Sequence, residues 1–247
     1  MDTWVLVDSE AMPGPAGAQS VMALMRRGRE LVIRVGEREL MSNRSHGSEE
    51  ALFDLAHARM RPRPDARVLV GGLGMGFTLA AALRKVGPDA RVVVAELVPA
   101  VVRWNRGPLA GEAGAPLSDP RASVYEGDVA DLIRAPESPW DAVLLDVDNG
   151  PAALTQAANG WLYSAAGLEA ACAALAPGGV LGVWAAAPDA GFTRRMRRAG
   201  FEVEVVDVRA RGAKGGRRHV VWLGRAARGP ERLSALRRAG SPRSARR

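Results

Sequence analysis

Short apolar runs alternate with segments of helical spacing through most of the chain, from residue 63 to residue 224. Four β-rich runs lie at 67–72, 91–97, 122–128 and 140–148. Strands that are separated by helices run parallel and are buried on both faces, which explains runs without polar alternation. The pattern therefore predicts an α/β fold around a parallel sheet.

The last part of this region predicts a reversal of chain direction. A strand at 180–186 and a helix at 189–200 are followed by strands at 201–209 and 218–224, joined only by the turn GAKGGR. Two strands joined by a short turn are antiparallel. We therefore expect a seven-stranded, mostly parallel sheet with an antiparallel last strand. Upstream, residues 160–176 predict one long helix, which ends at the Pro-Gly-Gly of 177–179.

Residues 1–62 do not follow this alternation. They predict a few short strands and then a helix, and RPRPD at 61–65 connects them to the first parallel strand. We interpret this segment as a small N-terminal β-rich element that acts as a lid or a dimerisation element, and we expect a homodimer.

Residues 225–247 form a third segment, which differs from the rest of the chain in its positive charge. The chain carries a formal net charge of +7. From Arg225 onward there are eight arginines and one glutamate, so the segment accounts for the whole excess. It contains few apolar residues, which predicts a flexible tail. We interpret the tail as a solvated extension, and it is the only segment through which we expect nucleic acid to bind.

The sequence gives little indication of a membrane span, a signal peptide or a metal site. No apolar run approaches the roughly 20 residues that a membrane span needs. The first residues include Asp2, Asp8 and Glu10, where a signal peptide is positively charged. A single cysteine and three scattered histidines predict neither a disulfide nor a metal site. We expect a cytoplasmic protein without a metal and without membrane contact.

Three glycines at alternate positions, Gly72, Gly74 and Gly76, follow the first parallel strand. In such sheets ligands lie beyond the carboxyl ends of the strands, where a glycine loop lets backbone N–H groups approach them. The third glycine is one place earlier than in the dinucleotide fingerprint, which favours a nucleoside without a pyrophosphate. Glu96, at the end of the second strand, is placed to accept hydrogen bonds from ribose hydroxyls.

These motifs resemble the spermidine synthase-like family, within the superfamily of S-adenosylmethionine-dependent methyltransferases with a Rossmann-like fold. The resemblance covers about residues 40–224 and rests on VLVGGLGMG, VVVAELVPAVVRWNR, YEGDVADLI and DAVLLDVDNGPA. It implies that Glu96 binds the ribose, that Asp128 binds the adenine amino group, and that Leu97 and Val129 line the same nucleoside site. It also implies that Asp146 acts on the acceptor.

The activity that the resemblance implies is transfer of an aminopropyl group from decarboxylated S-adenosylmethionine, or of a methyl group from S-adenosylmethionine, to a small amine. An amine attacks only when it is neutral, so a carboxylate that positions it and takes its proton is required. Asp146 fits because it ends the apolar strand AVLLD at the ligand edge. The alternatives are a small-molecule methyltransferase and a nucleoside-binding protein without catalysis.

The chain departs from the family at positions that hold polyamines. Gly74 stands where spermidine synthases have an aspartate, and Ala51 and Leu52 stand where they have Tyr-His. Asp148, and either Glu49 or Glu50, are candidates to replace the missing charge. We expect putrescine to be a poor acceptor.

Asp148 and two further residues, His46 and Tyr163, are candidates on the acceptor side, and each has a plainer interpretation. His46 is an acid or base at the site mouth or an ordinary loop histidine. Asp148 contacts the substrate or forms a turn, and Tyr163 lines the acceptor pocket or packs in the core.

Overall fold

The computed structural model describes residues 2–13, 19–147 and 157–226. Two sheets make up the framework. The first is a four-stranded antiparallel sheet in the order β1-β2-β3-β4, which confirms the N-terminal β-rich element. Its strands are β1 (Val5–Pro13), β2 (Gln19–Arg27), β3 (Glu30–Val35) and β4 (Arg38–Ser42). Helix α1 (Gly47–His57) follows it and leads to the larger sheet.

The larger sheet has seven strands in the order β10-β11-β9-β8-β5-β6-β7. They are β5 (Arg67–Gly71), β6 (Arg91–Glu96), β7 (Ala122–Glu126), β8 (Trp140–Leu145), β9 (Leu175–Ala185), β10 (Phe201–Arg209) and β11 (Arg218–Ala226). Only β11 runs antiparallel to its neighbours, and it lies between β9 and β10. The predicted α/β class, the parallel sheet and the reversed last strand are confirmed.

Helices cover both faces of this sheet. They are α2 (Phe77–Leu83), α3 (Pro99–Arg106), α4 (Val129–Arg134), α5 (Ala165–Ala174) and α6 (Ala190–Arg198). Alternate side chains of each central strand enter different cores: Val68 and Val70 lie in one, and Leu69 lies in the other. The first core also contains Leu24 and Ile33 of the N-terminal sheet. None of the helices in the described ranges has the length and apolar content to cross a membrane.

The prediction of one helix over 160–176 is wrong. A short 3-10 turn ends at Trp161, and α5 begins only after Ser164, whose Oγ accepts a hydrogen bond from Gly167 N at 3.1 Å. At the other end, Leu175 already pairs with Trp140 in the sheet. The Pro-Gly-Gly segment therefore lies inside β9 rather than after a helix.

The last strand also runs further than the sequence pattern indicated. Ala226 pairs with Phe201 and is buried. Residues 227–247, most of the predicted tail, lie outside the described residues. The division into units at 1–62, 63–224 and 225–247 stays a prediction.

Candidate functional site

The strand order places the ends of β6, β5 and β8 side by side, and the glycine loop lies between them. Gly72, Gly74 and Gly76 all have positive φ, at +87°, +52° and +84°. Gly72 N donates to Ala95 O at 2.9 Å. A Cβ on Gly72 would collide with the carbonyl oxygen of Asp146. The backbone of the neighbouring strand therefore requires this glycine.

A side chain at either of the other two glycine positions would also contact neighbouring residues. A Cβ on Gly74 would lie 2.7 Å from Cε of Met41, a residue of β4, and one on Gly76 would lie 3.0 Å from Oδ1 of Asn105. The amide of Asn105 donates to Gly74 O at 2.7 Å. The loop is thus fixed by α3 on one side and by the N-terminal sheet on the other.

Glu96 joins the glycine loop to the end of β6. Its Oε2 accepts from Leu73 N at 3.0 Å, and its Oε1 accepts from Val98 N at 2.8 Å. The residue is 8% exposed, and burial raises the pKa of its carboxyl although these backbone hydrogen bonds oppose the rise. The backbone N–H groups of Gly74 and Leu97 also lower the pKa of this carboxyl. Beside it, the apolar side chain of Leu97 is 47% exposed.

Asp128 caps the helix that follows β7. Its Oδ1 accepts from Ala130 N at 2.8 Å, which satisfies a donor in the first turn of α4. Val129 is buried and lies against Gly71, where its Cγ2 would be 3.0 Å from an added Cβ. Both residues lie at the same sheet edge as Glu96, and both have a structural role there.

Asp146 follows β8 directly, and its N–H donates to Gly71 O at 2.9 Å. Its Oδ2 accepts from the hydroxyl of Thr78, on α2, at 2.7 Å. Loss of solvation raises the pKa of Asp146 to about 6, against the effect of this hydrogen bond. A carboxylate with such a pKa is ionised at neutral pH and is a stronger base than an ordinary aspartate.

A second carboxyl, that of Glu49, lies in the same buried region. Glu49 is 8% exposed, and its Oε2 accepts from the Ser48 hydroxyl at 2.6 Å. Its carbonyl oxygen is 3.3 Å from the Thr78 hydroxyl. Burial, and then the charge of Asp146, raise the pKa of Glu49 to about 8. The two carboxyls therefore carry about one negative charge at neutral pH, and most of it resides on Asp146.

His219, on β11, extends this polar cluster. Its Nδ1 lies 2.9 Å from Ser48 Oγ, and its ring meets Trp184 edge-on at 4.7 Å. Burial, and then the charge of Arg217, lower the pKa of His219. Sequence reasoning missed Ser48, Thr78 and His219, because no local motif links three residues that lie far apart in the chain.

The remaining acceptor candidates are His46, Tyr163 and Asp148. His46 stacks on Phe77, with ring centroids 4.1 Å apart, and its Nδ1 is 3.6 Å from Glu50 Oε1. Tyr163 is buried and meets Phe192 at 5.8 Å. Asp148 lies outside the described residues. The roles of these three stay predictions.

Metal binding has no positive support in the part of the chain that the structure describes. No group of three His, Cys, Asp or Glu side chains there is arranged to hold a metal ion. That the chain uses no metal stays a prediction.

Comparison with known proteins yields matches of structure alone. No protein-family model and no curated protein sequence matches the chain. The spermidine synthase of Thermotoga maritima matches with a TM-score of 0.68 and 18% identity, over 93% of this chain and 77% of that one. A spermidine synthase in complex with the transition-state analogue AdoDATO matches with a TM-score of 0.71 and 18% identity, over 93% of this chain and 78% of that one. The chain has the fold of the spermidine synthases.

A third match of this fold is a probable spermidine synthase from Corynebacterium glutamicum ATCC 13032. Its TM-score is 0.57 at 19% identity, over 87% of this chain and 79% of that one. The first two matches each cover 93% of this chain, so the matched region includes most of the N-terminal sheet. The resemblance read from the motifs over about residues 40–224 is thus confirmed for the fold, and the structural match extends beyond it into the N-terminal sheet.

Proposed function

We propose that this protein is a transferase that uses a sulfonium nucleoside, S-adenosylmethionine or its decarboxylated form, as donor and a small amine as acceptor. The observation that carries the proposal is the meeting of Glu96, the glycine loop and Asp146 at one edge of a spermidine synthase fold. One end of this arrangement suits a nucleoside and the other suits proton removal.

The donor side is supported by the chemistry of the residues at the end of β6. Glu96 is held by two backbone N–H groups, so its carboxylate is fixed before a ligand arrives. A carboxylate at the end of the second parallel strand suits the two ribose hydroxyls, and the exposed side chain of Leu97 suits the face of a purine. Asp128 and Val129 complete the proposed nucleoside site on the next strand.

The acceptor side is supported by Asp146. In the reaction the amine nitrogen forms a bond to a carbon of the sulfonium group, the bond from that carbon to sulfur breaks, and its electron pair stays on sulfur as a neutral thioether. The amine loses one proton, and Asp146 accepts it. The pKa of about 6 suits this step, because the group is ionised at neutral pH and still has an appreciable proton affinity.

Replacement of Asp146 by asparagine tests the proposal. Asparagine has nearly the same shape and is a far poorer base, so turnover should fall by roughly 10²- to 10⁴-fold while nucleoside binding persists. The assay supplies both donors with a panel of amines and follows two products. Methylthioadenosine would identify aminopropyl transfer, and S-adenosylhomocysteine would identify methyl transfer.

Asp131→Asn is the matched control, because Asp131 is an exposed aspartate of α4 whose contacts are Arg134 and Tyr125. It should leave turnover within about twofold of the wild type, as surface changes generally do. A wild-type protein that binds the nucleoside and forms neither product would refute the proposed enzyme and favour a binding protein. Full activity in Asp146→Asn would refute the role of Asp146.

A further inference from the structure

The turn between β10 and β11, residues 210–217, is a basic turn that the proposed function does not use. Its charged residues are Arg211, Lys214 and Arg217, and it contains no acidic residue. All three side chains are exposed. None of them forms an ion pair with another described residue. Three uncompensated cations on one short turn favour an anion.

The sheet topology brings the basic turn to the edge that carries the candidate site. Because β11 is antiparallel to both β9 and β10, β10 runs parallel to β9 and ends at the same edge as β5, β6 and β8. The turn also contacts the first residue of α1. Gly47 N donates to Ala210 O at 2.8 Å, and a Cβ on Gly47 would collide with Gly212 N. The helix that starts on the basic turn is the one that carries Glu49.

Of the three cations of the turn, Arg217 is the one that His219 and Ser48 link to Glu49. Arg217 lies two residues before His219, and alternation along the strand places both on the same face; its charge also lowers the pKa of His219. Nδ1 of His219 contacts Ser48, and Ser48 donates to Glu49. Arg218 differs although it is the next residue. Neighbouring side chains of a strand point to opposite faces, and since His219 faces α1, Arg218 faces away from it.

Among the residues that the structure describes, the charge balance of this region is unlike that needed for a diamine. A diamine presents a second, distant ammonium group, which requires a second carboxylate. Here Glu49 and Asp146 hold about one negative charge between them. Glu50, the residue after Glu49, already forms an ion pair with Arg84 at 3.1 Å. The basic turn lies at the same sheet edge and contacts the start of α1, so it offers cations to the far end of an acceptor.

We propose that the acceptor is an amine that also carries a carboxylate or phosphate group, and that Arg217 binds this acidic group while the amine lies at Asp146. The guanidinium of arginine presents two parallel N–H donors, which match the oxygens of either anion. The inference rests on the proposed function, since it names the substrate class of the same site.

The experiment compares three acceptors of similar length: putrescine, 4-aminobutanoate and 3-aminopropyl phosphate. Each is assayed with both donors, and both nucleoside products are followed. We expect kcat/KM to be at least tenfold higher for one or both of the acidic amines than for putrescine. The better of the two identifies the anion as carboxylate or phosphate.

Arg217→Gln and Arg218→Gln separate a specific contact from general surface charge. Arg217→Gln should raise KM for the acidic amines on the order of tenfold or more, the range for a lost hydrogen bond to a charged group. The kcat value and the affinity for methylthioadenosine should stay within twofold. Arg218→Gln removes the same charge on the other face of the sheet and should leave all three values within twofold.

A preference for putrescine, or equal effects of the two substitutions, would overturn the inference while leaving the transferase intact. The proposed function fails in a different way, through loss of nucleoside binding or of all products. If the protein binds methylthioadenosine but turns over no acceptor, each acidic amine is titrated into the loaded protein. Binding that Arg217→Gln weakens supports the anion site, and absence of binding overturns it.

Discussion

The buried carboxyl of Glu49 should make the protein less stable as the pH rises. In the folded chain Glu49 is 8% exposed; burial, and then the charge of Asp146, raise the pKa of its carboxyl to about 8, although the hydrogen bond from Ser48 opposes the rise. In the unfolded chain the carboxyl has its ordinary value of 4.5. The folded state therefore holds this proton more tightly, and stability is lost as the pH rises above the unfolded pKa and through the folded one.

The size of the effect follows from these two pKa values. One pKa unit corresponds to about 1.4 kcal/mol, so the free energy of unfolding should fall by about 3 kcal/mol between pH 5 and pH 8 through Glu49 alone. Asp146 adds a fall in the same direction, because its pKa is also raised. Glu49→Gln removes one ionisable group and keeps an oxygen that can accept from Ser48. The variant should lose about 3 kcal/mol less than the wild type over this range.

Denaturant unfolding at pH 5, 6.5 and 8 measures this difference. Because both proteins contain Asp146, its contribution largely cancels when they are compared at each pH. Glu50→Gln is the control: Glu50 is the next residue, is partly exposed and is paired with Arg84, so its loss should change stability by less than about 1 kcal/mol throughout. Parallel pH profiles for the wild type and Glu49→Gln would refute the buried carboxyl pair.

Two further substitutions test the nucleoside side. Glu96→Ala should weaken methylthioadenosine binding, measured by isothermal titration, by about 1.5 to 3 kcal/mol, since it removes a charged acceptor of hydrogen bonds; unchanged affinity would exclude Glu96 as the ribose ligand. Gly72→Ala should destabilise the fold by at least about 2 kcal/mol more than Gly36→Ala, because both glycines have positive φ but only Gly72 faces a backbone carbonyl. Equal unfolding free energies for the two alanine variants would contradict that contact.

The larger sheet was predictable because its strands are buried on both faces. Val68 and Val70 enter one core and Leu69 the other, so the strand reads as an unbroken apolar run. The antiparallel hairpin was predictable from its short turn. These signals are local in the sequence, and local signals also indicated which residues end their strands at the ligand edge.

The failures have non-local causes. The segment 160–176 is rich in alanine and leucine, which favour helix. However, Ser164 caps the helix late, and Leu175 pairs with Trp140 in the sheet, so the helix also ends earlier. Likewise, the contact between His219 and Ser48 joins residues 171 positions apart. Only the fold brings a strand of the last hairpin to the first turn of α1, so no spacing in the sequence indicates it.

The glycines of the loop have partners within the protein itself. The backbone at Asp146 requires Gly72, and a side chain at Gly74 or Gly76 would crowd Met41 or Asn105. The loop is therefore no evidence for a ligand on its own. Of the acids at this edge, Glu96 holds two backbone N–H groups and Asp128 caps a helix, so both serve the fold. Within the described residues, the carboxylate of Asp146 accepts only from the Thr78 side chain. Of these three acids, Asp146 is thus the one whose side chain accepts no hydrogen bond from the described backbone. Its substitution should therefore disturb the fold least and test function most directly.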